Sequence, residues 1–223
     1  MASNLREIIN FSLVIVNLEL LASEGSFQGF QSAVDADIRH GGGVSIDAAT
    51  GQTQQARILH LDRDRVNLNL SPARSSVTKE FPAVDGLAAE AARFAQIVNS
   101  ALLAGNDLGG ALYDFGYNAE MVFDQDSNPT AFEFLGERLL RKERVAPPNR
   151  QFLGGACRMI IRDELGQWTY NLEPRFNDPQ TPRVFVNVNL HNEQRPLPQG
   201  TAVADAVVQL VGGVRDLMGR LAA

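Results

Sequence analysis

Two short segments of this chain alternate strictly between apolar residues and asparagine. Residues 66–70 read VNLNL and residues 186–190 read VNVNL. Successive side chains of a β-strand point to opposite faces, so a period of two predicts strands with one dry face and one wet face. Such strands belong in an antiparallel sheet whose apolar face is covered by another layer.

Two amphipathic helices are predicted to provide that layer. One covers residues 85–104, and the other covers residues 201–221, where apolar residues recur at alternating spacings of four and three. Each helix follows an asparagine-bearing strand and a proline-containing loop. We therefore predict an α+β fold, a mostly antiparallel sheet packed by amphipathic helices, in two related halves at residues 1–110 and 111–223. The alternatives are one continuous domain, and alternation that reflects only a wet strand face.

The remaining elements are predicted from local pattern. We expect a central strand at residues 11–20, because apolar residues occupy both of its faces. A hairpin follows, with arms at residues 58–61 and 66–70. The stretch 22–53 is rich in Gly, Ser, Gln and Asp, which favours loops around one or two short strands. The second half is predicted to contain a strand at 111–124, a helix at 130–144, and a three-stranded meander at 157–163, 167–172 and 183–190.

Charge and composition narrow the classes of partner. The net charge of −6 and the pI of about 5.1 argue against a nucleic-acid or anionic-membrane binder, except through a local basic patch. The longest apolar run, residues 11–21, is interrupted by polar residues and is too short to span a bilayer. The single cysteine, Cys157, and an N-terminus without the pattern of a secretory signal favour a cytoplasmic location.

The order of these pieces resembles an uncharacterised, sporadically distributed bacterial protein family of similar length. The resemblance lies in the hairpin around the sequence LDRDR at 61–65, the strand YNAEMVF at 117–123, and the terminal meander and helix. It covers much of the chain. The resemblance implies the domain plan and implies no activity.

No motif in the sequence assigns a catalytic or cofactor site. There is no Gly-x-Ser-x-Gly nucleophile elbow, and the glycine run at 41–43 leads into a strand rather than into a phosphate-binding helix. We expect Cys157 to be a buried, inert thiol. No cofactor is predicted.

One group of acids, Glu120, Asp124, Asp126, Glu133 and Glu137, would suit a metal nuclease, but no lysine lies close on these strands and ordinary surface acids explain it. Two further sets are candidate metal ligands: Asp35, Asp37 and His40, and His60, Asp62 and Asp64. Neither spacing matches a recognised metal motif, and solvated turn residues explain both sets. No metal site is assigned on this basis.

A cationic segment and the asparagine strands are the candidate interaction surfaces. Arg138, Arg141, Lys142, Arg144 and Arg150 lie at the end of the helix predicted at 130–144 and in the loop after it, where they would bind phosphate or an acidic partner, or simply oppose the helix dipole. Asn67, Asn69, Asn187 and Asn189 would form a polar docking face, or a hydrogen-bonded solvent face.

From these observations we predict a non-enzymatic interaction or assembly subunit of a bacterial complex, with a protein partner or self-association. One alternative is a metal-dependent hydrolase or nuclease that gathers Asp, Glu and His from distant segments. Another is a viral or other multimeric structural protein. These alternatives stay open at the level of the sequence.

Overall fold

The computed structural model describes residues 3–46, 53–104, 111–125, 130–140, 155–174 and 181–223. Within these ranges the chain forms nine strands and four helices, which confirms the α+β class. The strands are β1 (Ser3–Val16), β2 (Arg39–Ile46), β3 (Thr53–Leu61), β4 (Val66–Leu70), β5 (Arg74–Glu80), β6 (Tyr113–Gln125), β7 (Cys157–Arg162), β8 (Gln167–Pro174) and β9 (Arg183–Arg195). The helices are α1 (Glu24–Val34), α2 (Leu87–Leu103), α3 (Ala131–Leu135) and α4 (Ala202–Ala222).

All nine strands belong to one sheet, in the order β2-β3-β4-β5-β1-β6-β9-β8-β7, and every neighbouring pair is antiparallel. Strands β1 and β6 pair with each other along most of their length, and Ser12 lies opposite Asn118 at this seam. Strands from residues before 110 lie on one side of the seam and strands from residues after 111 lie on the other. The division into two halves stays a prediction, although their strands share this sheet.

The two asparagine strands occupy different positions in the sheet. Residues 186–190 lie in β9, which borders β6 and leads directly to α4. Residues 66–70 form β4, which is followed by β5 before α2 begins. The strand that borders β1 on the side away from β6 is β5, which lies in a region predicted as a proline-containing loop. Of its three buried side chains, Ser75, Val77 and Lys79, only one is apolar, so its alternation was hidden in the sequence.

Helix α1 corrects the prediction of loops around short strands for residues 22–53. A capping box starts the helix: Ser23 and Ser26 exchange hydrogen bonds between their side chains and backbone amides, at 3.0 and 3.1 Å. Phe27, Phe30 and Val34 then form one buried stripe. Gly25 and Gly29 lie on the side of this helix that has open space around it. Their low helix propensity is offset by the packing of the buried stripe on the other side.

The core lies between one face of the sheet and the layer of helices. Phe11, Leu13 and Ile15 of β1 are buried there, and the ring of Phe11 meets Phe94 of α2 edge to face at 5.0 Å. Helices α2 and α4 pack against each other, and α4 also contacts β1, β6 and β9. The residues of the predicted stripe in α4 are buried, except Leu221, which is partly buried, whereas Val208 lies off the stripe and is exposed.

The helix predicted at 130–144 is confirmed as far as it is described. Thr130 caps α3, accepting from the Glu133 amide at 3.3 Å while the Glu133 side chain accepts from the Thr130 amide at 3.0 Å. The helix continues as a π-helical segment, Gly136–Leu140. Residues 141–144 lie outside the described residues. Among the described helices, none is long and apolar enough to cross a membrane.

Candidate functional site: the open face of the sheet

The face of the sheet opposite the helices is lined by partly exposed polar side chains, and we call it the open face. In the described residues its side chains alternate with buried ones along β9 and β8, whereas Ser12 of β1, which shares this face, is itself buried. One set of open-face residues lies in register across seven adjacent strands. This central row is His60, Asn67, Thr78, Ser12, Asn118, Asn189 and Thr169.

Side-chain hydrogen bonds connect the central row on its β3 side. The Nδ1 atom of His60 lies 2.6 Å from the Oδ1 atom of Asn67. The other end of the same amide donates from Nδ2 to Glu80 at 2.8 Å. Asn67 therefore links the side chains of three strands, and its orientation is fixed by partners on both sides.

A second row lies beside the first, near the β1–β6 seam. Glu120 accepts a hydrogen bond from Asn10 at 2.8 Å on one carboxylate oxygen and from Asn187 at 3.2 Å on the other. Asn10 lies opposite both Glu80 and Glu120 in the strand register. We call Glu80, Asn10, Glu120 and Asn187, which lie in register, the carboxylate row, because it contains two glutamates.

Asn189 lies flat against the sheet, because Gly116 on the neighbouring strand has no side chain. A Cβ atom at Gly116 would lie 3.0 Å from Nδ2 of Asn189, closer than ordinary van der Waals contact. In this position Asn189 donates to Asn118 at 2.7 Å. The glycine thus allows the amide–amide contact at the centre of the open face.

The carboxylates of the open face differ in whether their partners are charged or neutral. Asp124 is paired with Arg6 at 2.9 Å and with Arg183 at 3.2 Å. Within the described ranges, Glu80 and Glu120 have neutral amide partners and no ion pair. Negative charge is therefore held in fixed positions in the carboxylate row without being neutralised by these neighbours.

The four asparagines predicted as a polar docking face, Asn67, Asn69, Asn187 and Asn189, all lie on the open face. Strands β5, β1 and β6 separate the two pairs, which places them about 19 Å apart at roughly 4.8 Å per strand. They are parts of one continuous surface rather than one contact point.

Most of the predicted cationic segment lies outside the described residues. Arg138 lies in the π-helical segment that follows α3, where it is involved in an interaction. Arg141, Lys142, Arg144 and Arg150 lie outside the described residues. A basic surface therefore stays a prediction from the sequence.

Among the candidate metal ligands, His60, Asp62 and Asp64 have other side-chain partners. His60 contacts Asn67, and Asp62 accepts two hydrogen bonds from Arg39 at 3.0 and 3.2 Å, which hold the pKa of Asp62 below its ordinary value. In the ranges that the structure describes, no three His, Cys, Asp or Glu side chains come together as a metal site. Cys157 is partly buried, and burial raises the pKa of its thiol.

An open cavity of about 670 Å³ lies where α1 ends, against the β3–β4 turn. It is lined by charges of both signs, including Asp35, Asp37, Arg39 and Arg63. A smaller cavity of about 490 Å³ shares Asp35 and Arg63 with it. Opposite charges in an open, solvated cleft define no ligand class, so this region is the weaker candidate.

The chain matches no protein-family model and no curated protein. The resemblance to an uncharacterised bacterial family accordingly stays a prediction.

Several residues of the open face are not among the four asparagines predicted as a docking face, and Glu120 is a candidate in the sequence only as an acid of a metal nuclease. Asn118 and Glu120 alternate with the buried residues of β6, so their pattern was available. Asn10, Ser12 and Thr78 had no comparable signal, because β1 looks apolar on both faces and β5 looks like a loop. Their role follows from strand pairing between distant segments.

Proposed function

We propose that this protein is a non-enzymatic interaction or assembly subunit of a bacterial complex in the cytoplasm, and that the open face is the surface that binds a partner protein. The observation that supports this proposal is the central row, seven polar positions in register across adjacent strands. Its side chains offer hydrogen-bond donors and acceptors in fixed positions, which favours a partner surface that is itself polar.

The size of the open face is appropriate for a protein contact. Nine strands at about 4.8 Å spacing make a surface roughly 38 Å wide. Its longest strand, β1, has 14 residues and spans about 45 Å. A standard interface requires about 800 Å² from each partner, and a sheet of these dimensions is large enough to carry one.

The hydrogen bonds within the open face lower the cost of binding. Asn67, Asn118 and Asn189 are already held by side-chain partners in the free protein. Ordering a free side chain at an interface costs about 0.5–1.5 kcal/mol, so amides that are ordered in advance retain more of the contact energy. This feature favours recognition, since none of these bonds activates a nucleophile.

The experiment compares charge insertions on the two sides of the molecule. Tagged wild-type protein, the open-face variant Asn118→Lys and the control variant Gln209→Lys would be purified from the native cell and examined by size-exclusion chromatography with light scattering. Gln209 is an exposed residue of α4, on the helix side of the sheet. Both variants add the same charge, so that only its position differs.

We expect a stoichiometric complex, with another protein or with a second copy, for the wild type and for Gln209→Lys. Asn118→Lys should lose that complex while keeping its thermal unfolding transition. A wild-type monomer without a stoichiometric partner, or equal loss in both variants, would contradict the proposal. Thermal stabilisation by a divalent metal that disappears in His60→Ala or Asp62→Asn would instead support the metal-dependent enzyme.

A further inference from the structure

We propose that the partner segment docked on the open face is rich in arginine and lysine and lies along the carboxylate row, with Phe81 contacting it at one end. This inference depends on the proposed function, because it names the chemistry of the partner at the same surface. Three features support it: two carboxylates without an ion pair among the described residues, their spacing, and the exposed aromatic residue that follows Glu80 in the chain.

The two carboxylates of the row are held in place by neutral groups. Glu120 accepts from Asn10 and Asn187, and Glu80 accepts from Asn67. A carboxylate has about four acceptor positions, so each glutamate retains positions for further donors. Guanidinium and ammonium donors would complete these positions with charge-assisted hydrogen bonds, which are about twice as strong as neutral ones.

Two other carboxylates of the chain, Asp64 and Asp124, have arginine side chains as hydrogen-bond partners. Asp64 receives both arms of a guanidinium from Arg93, at 2.8 Å each, and Asp124 lies between two arginines. In the described part of the chain, Glu80 and Glu120 have no such partner. A cationic segment from another protein would supply to the carboxylate row the type of contact that the chain itself supplies to Asp64 and Asp124.

The spacing of the glutamates fits an extended cationic segment. Glu80 and Glu120 are separated by one strand, a distance of about 10 Å across the sheet. Side chains on one face of an extended peptide recur every two residues, or about 6.6–7 Å, and long arginine or lysine side chains reach the remaining distance. The net charge of −6 of the whole chain further favours the approach of a cation.

Phe81 follows Glu80 directly and is exposed to 53% of its surface. Its backbone has a positive φ of 44°, which is unusual for a bulky residue, and its amide donates to the Ile9 carbonyl at 2.7 Å. The chain therefore presents an exposed aromatic residue directly after Glu80, at the end of the carboxylate row on β5. An exposed aromatic ring would pack against the aliphatic stem or stack on the guanidinium plane of a partner arginine.

The test uses a fluorescent octa-arginine peptide as the probe, with an octaglutamate peptide as the opposite-charge comparison. Binding to the purified full chain would be measured by fluorescence anisotropy at low and moderate salt. The test variant is Glu80→Gln with Glu120→Gln. Each glutamine keeps a side-chain oxygen that can accept the hydrogen bond from its asparagine neighbour, but the negative charge is removed. The matched control is Glu24→Gln with Glu164→Gln, which removes the same charge at exposed positions away from the row.

We expect the wild type to bind octa-arginine with an affinity that falls as salt rises, and to leave octaglutamate unbound. The double variant in the carboxylate row should bind at least about tenfold more weakly, whereas the control pair should remain within about twofold of the wild type. Phe81→Ala should weaken binding by about threefold to fivefold. Equal binding by the test and control pairs would overturn the proposal, as would an absence of binding at low salt.

A second measurement on the wild type is independent of any variant. Titration with octa-arginine should shift the side-chain amide resonances of Asn10 and Asn187 before those of Asn99, which lies at the other side of the molecule and bonds to Gly200. Shifts confined to other residues would contradict the inference. If Asn118→Lys removes a native complex while octa-arginine does not bind, the open face still binds a partner, and only its cationic character is wrong.

Discussion

Arg93 of α2 binds Asp64 in the β3–β4 turn through both carboxylate oxygens, with N–O distances of 2.8 Å each. The same guanidinium donates to the Val34 carbonyl at the end of α1, at 3.1 Å. One side chain therefore joins two helices to the turn that begins β4. These hydrogen bonds from Arg93 hold the pKa of Asp64 below its ordinary value.

Replacement of Asp64 by asparagine is expected to reduce the free energy of unfolding by about 1–3 kcal/mol at pH 7, because Arg93 loses a charged partner near the surface of the core. Urea unfolding of the two proteins measures this difference. The matched control is Asp205→Asn, at an exposed position in the first turn of α4.

The difference in unfolding free energy between the wild type and Asp64→Asn should depend on pH. Since the folded pKa of Asp64 is depressed, its contribution is fully present above the unfolded pKa of about 3.9 and is lost as pH falls through the lower folded pKa. The difference in stability between wild type and Asp64→Asn should thus shrink below about pH 4. A constant difference from pH 7 to pH 3 would contradict this assignment.

Phe94 is the aromatic contact between α2 and the centre of the sheet. It is fully buried and meets Phe11 edge to face. Phe94→Ala should lower the free energy of unfolding by about 3–5 kcal/mol, because it leaves a cavity between the two layers. Leu103→Ala, at a side chain 65% exposed in the same helix, should change stability by less than about 0.5 kcal/mol.

The capping box of α1 predicts a smaller and local effect. Ser23→Ala removes the acceptor for the Ser26 amide and should cost about 0.5–2 kcal/mol in chemical denaturation. Ser32→Ala in the same helix is the control, since Ser32 is exposed and bonds only to the Gln28 carbonyl among its described contacts. Equal losses for both variants would show that the cap is unimportant.

Gly116→Ala tests the geometry of the open face itself. The added methyl group would meet the amide of Asn189 and displace it from Asn118. We expect the side-chain amide resonances of both asparagines to move while the sheet remains intact, because the contact involves the end of a flexible side chain. Unchanged resonances would mean that the glycine has no role in this contact.

The sequence predicted best those elements whose two faces differ clearly. The alternation in β4, β6, β8 and β9 identified the strands and the side on which their polar residues lie. The stripe of α4 identified the longest described helix. In each case a buried apolar face dictates the spacing of residues, so the period itself carries the information.

The missed elements have faces that do not look apolar. Strand β5 buries Lys79, which is satisfied by an ion pair with Glu90 at 2.8 Å from another element. Helix α1 contains Gly25 and Gly29, which local propensity assigns to loops. Tertiary contacts stabilise both elements, and such contacts are not visible in a local pattern.

The candidate site was only partly accessible from the sequence. The four asparagines were correctly chosen as residues of a wet strand face, since period two alone settles their side. The carboxylate row joins Asn10 to Glu120, which are separated by 110 positions. Such neighbours depend on strand order, and strand order in a nine-stranded sheet cannot be deduced from local alternation.

The most direct measurement is site-specific photo-cross-linking in the native cell. A photoreactive residue would replace Asn118 at the centre of the open face, or Gln209 on the exposed side of α4. We predict one discrete cross-linked species from position 118, of fixed stoichiometry, and none from position 209. Cross-linking from position 209 alone, or from neither position, would contradict the assignment of the open face as the binding surface.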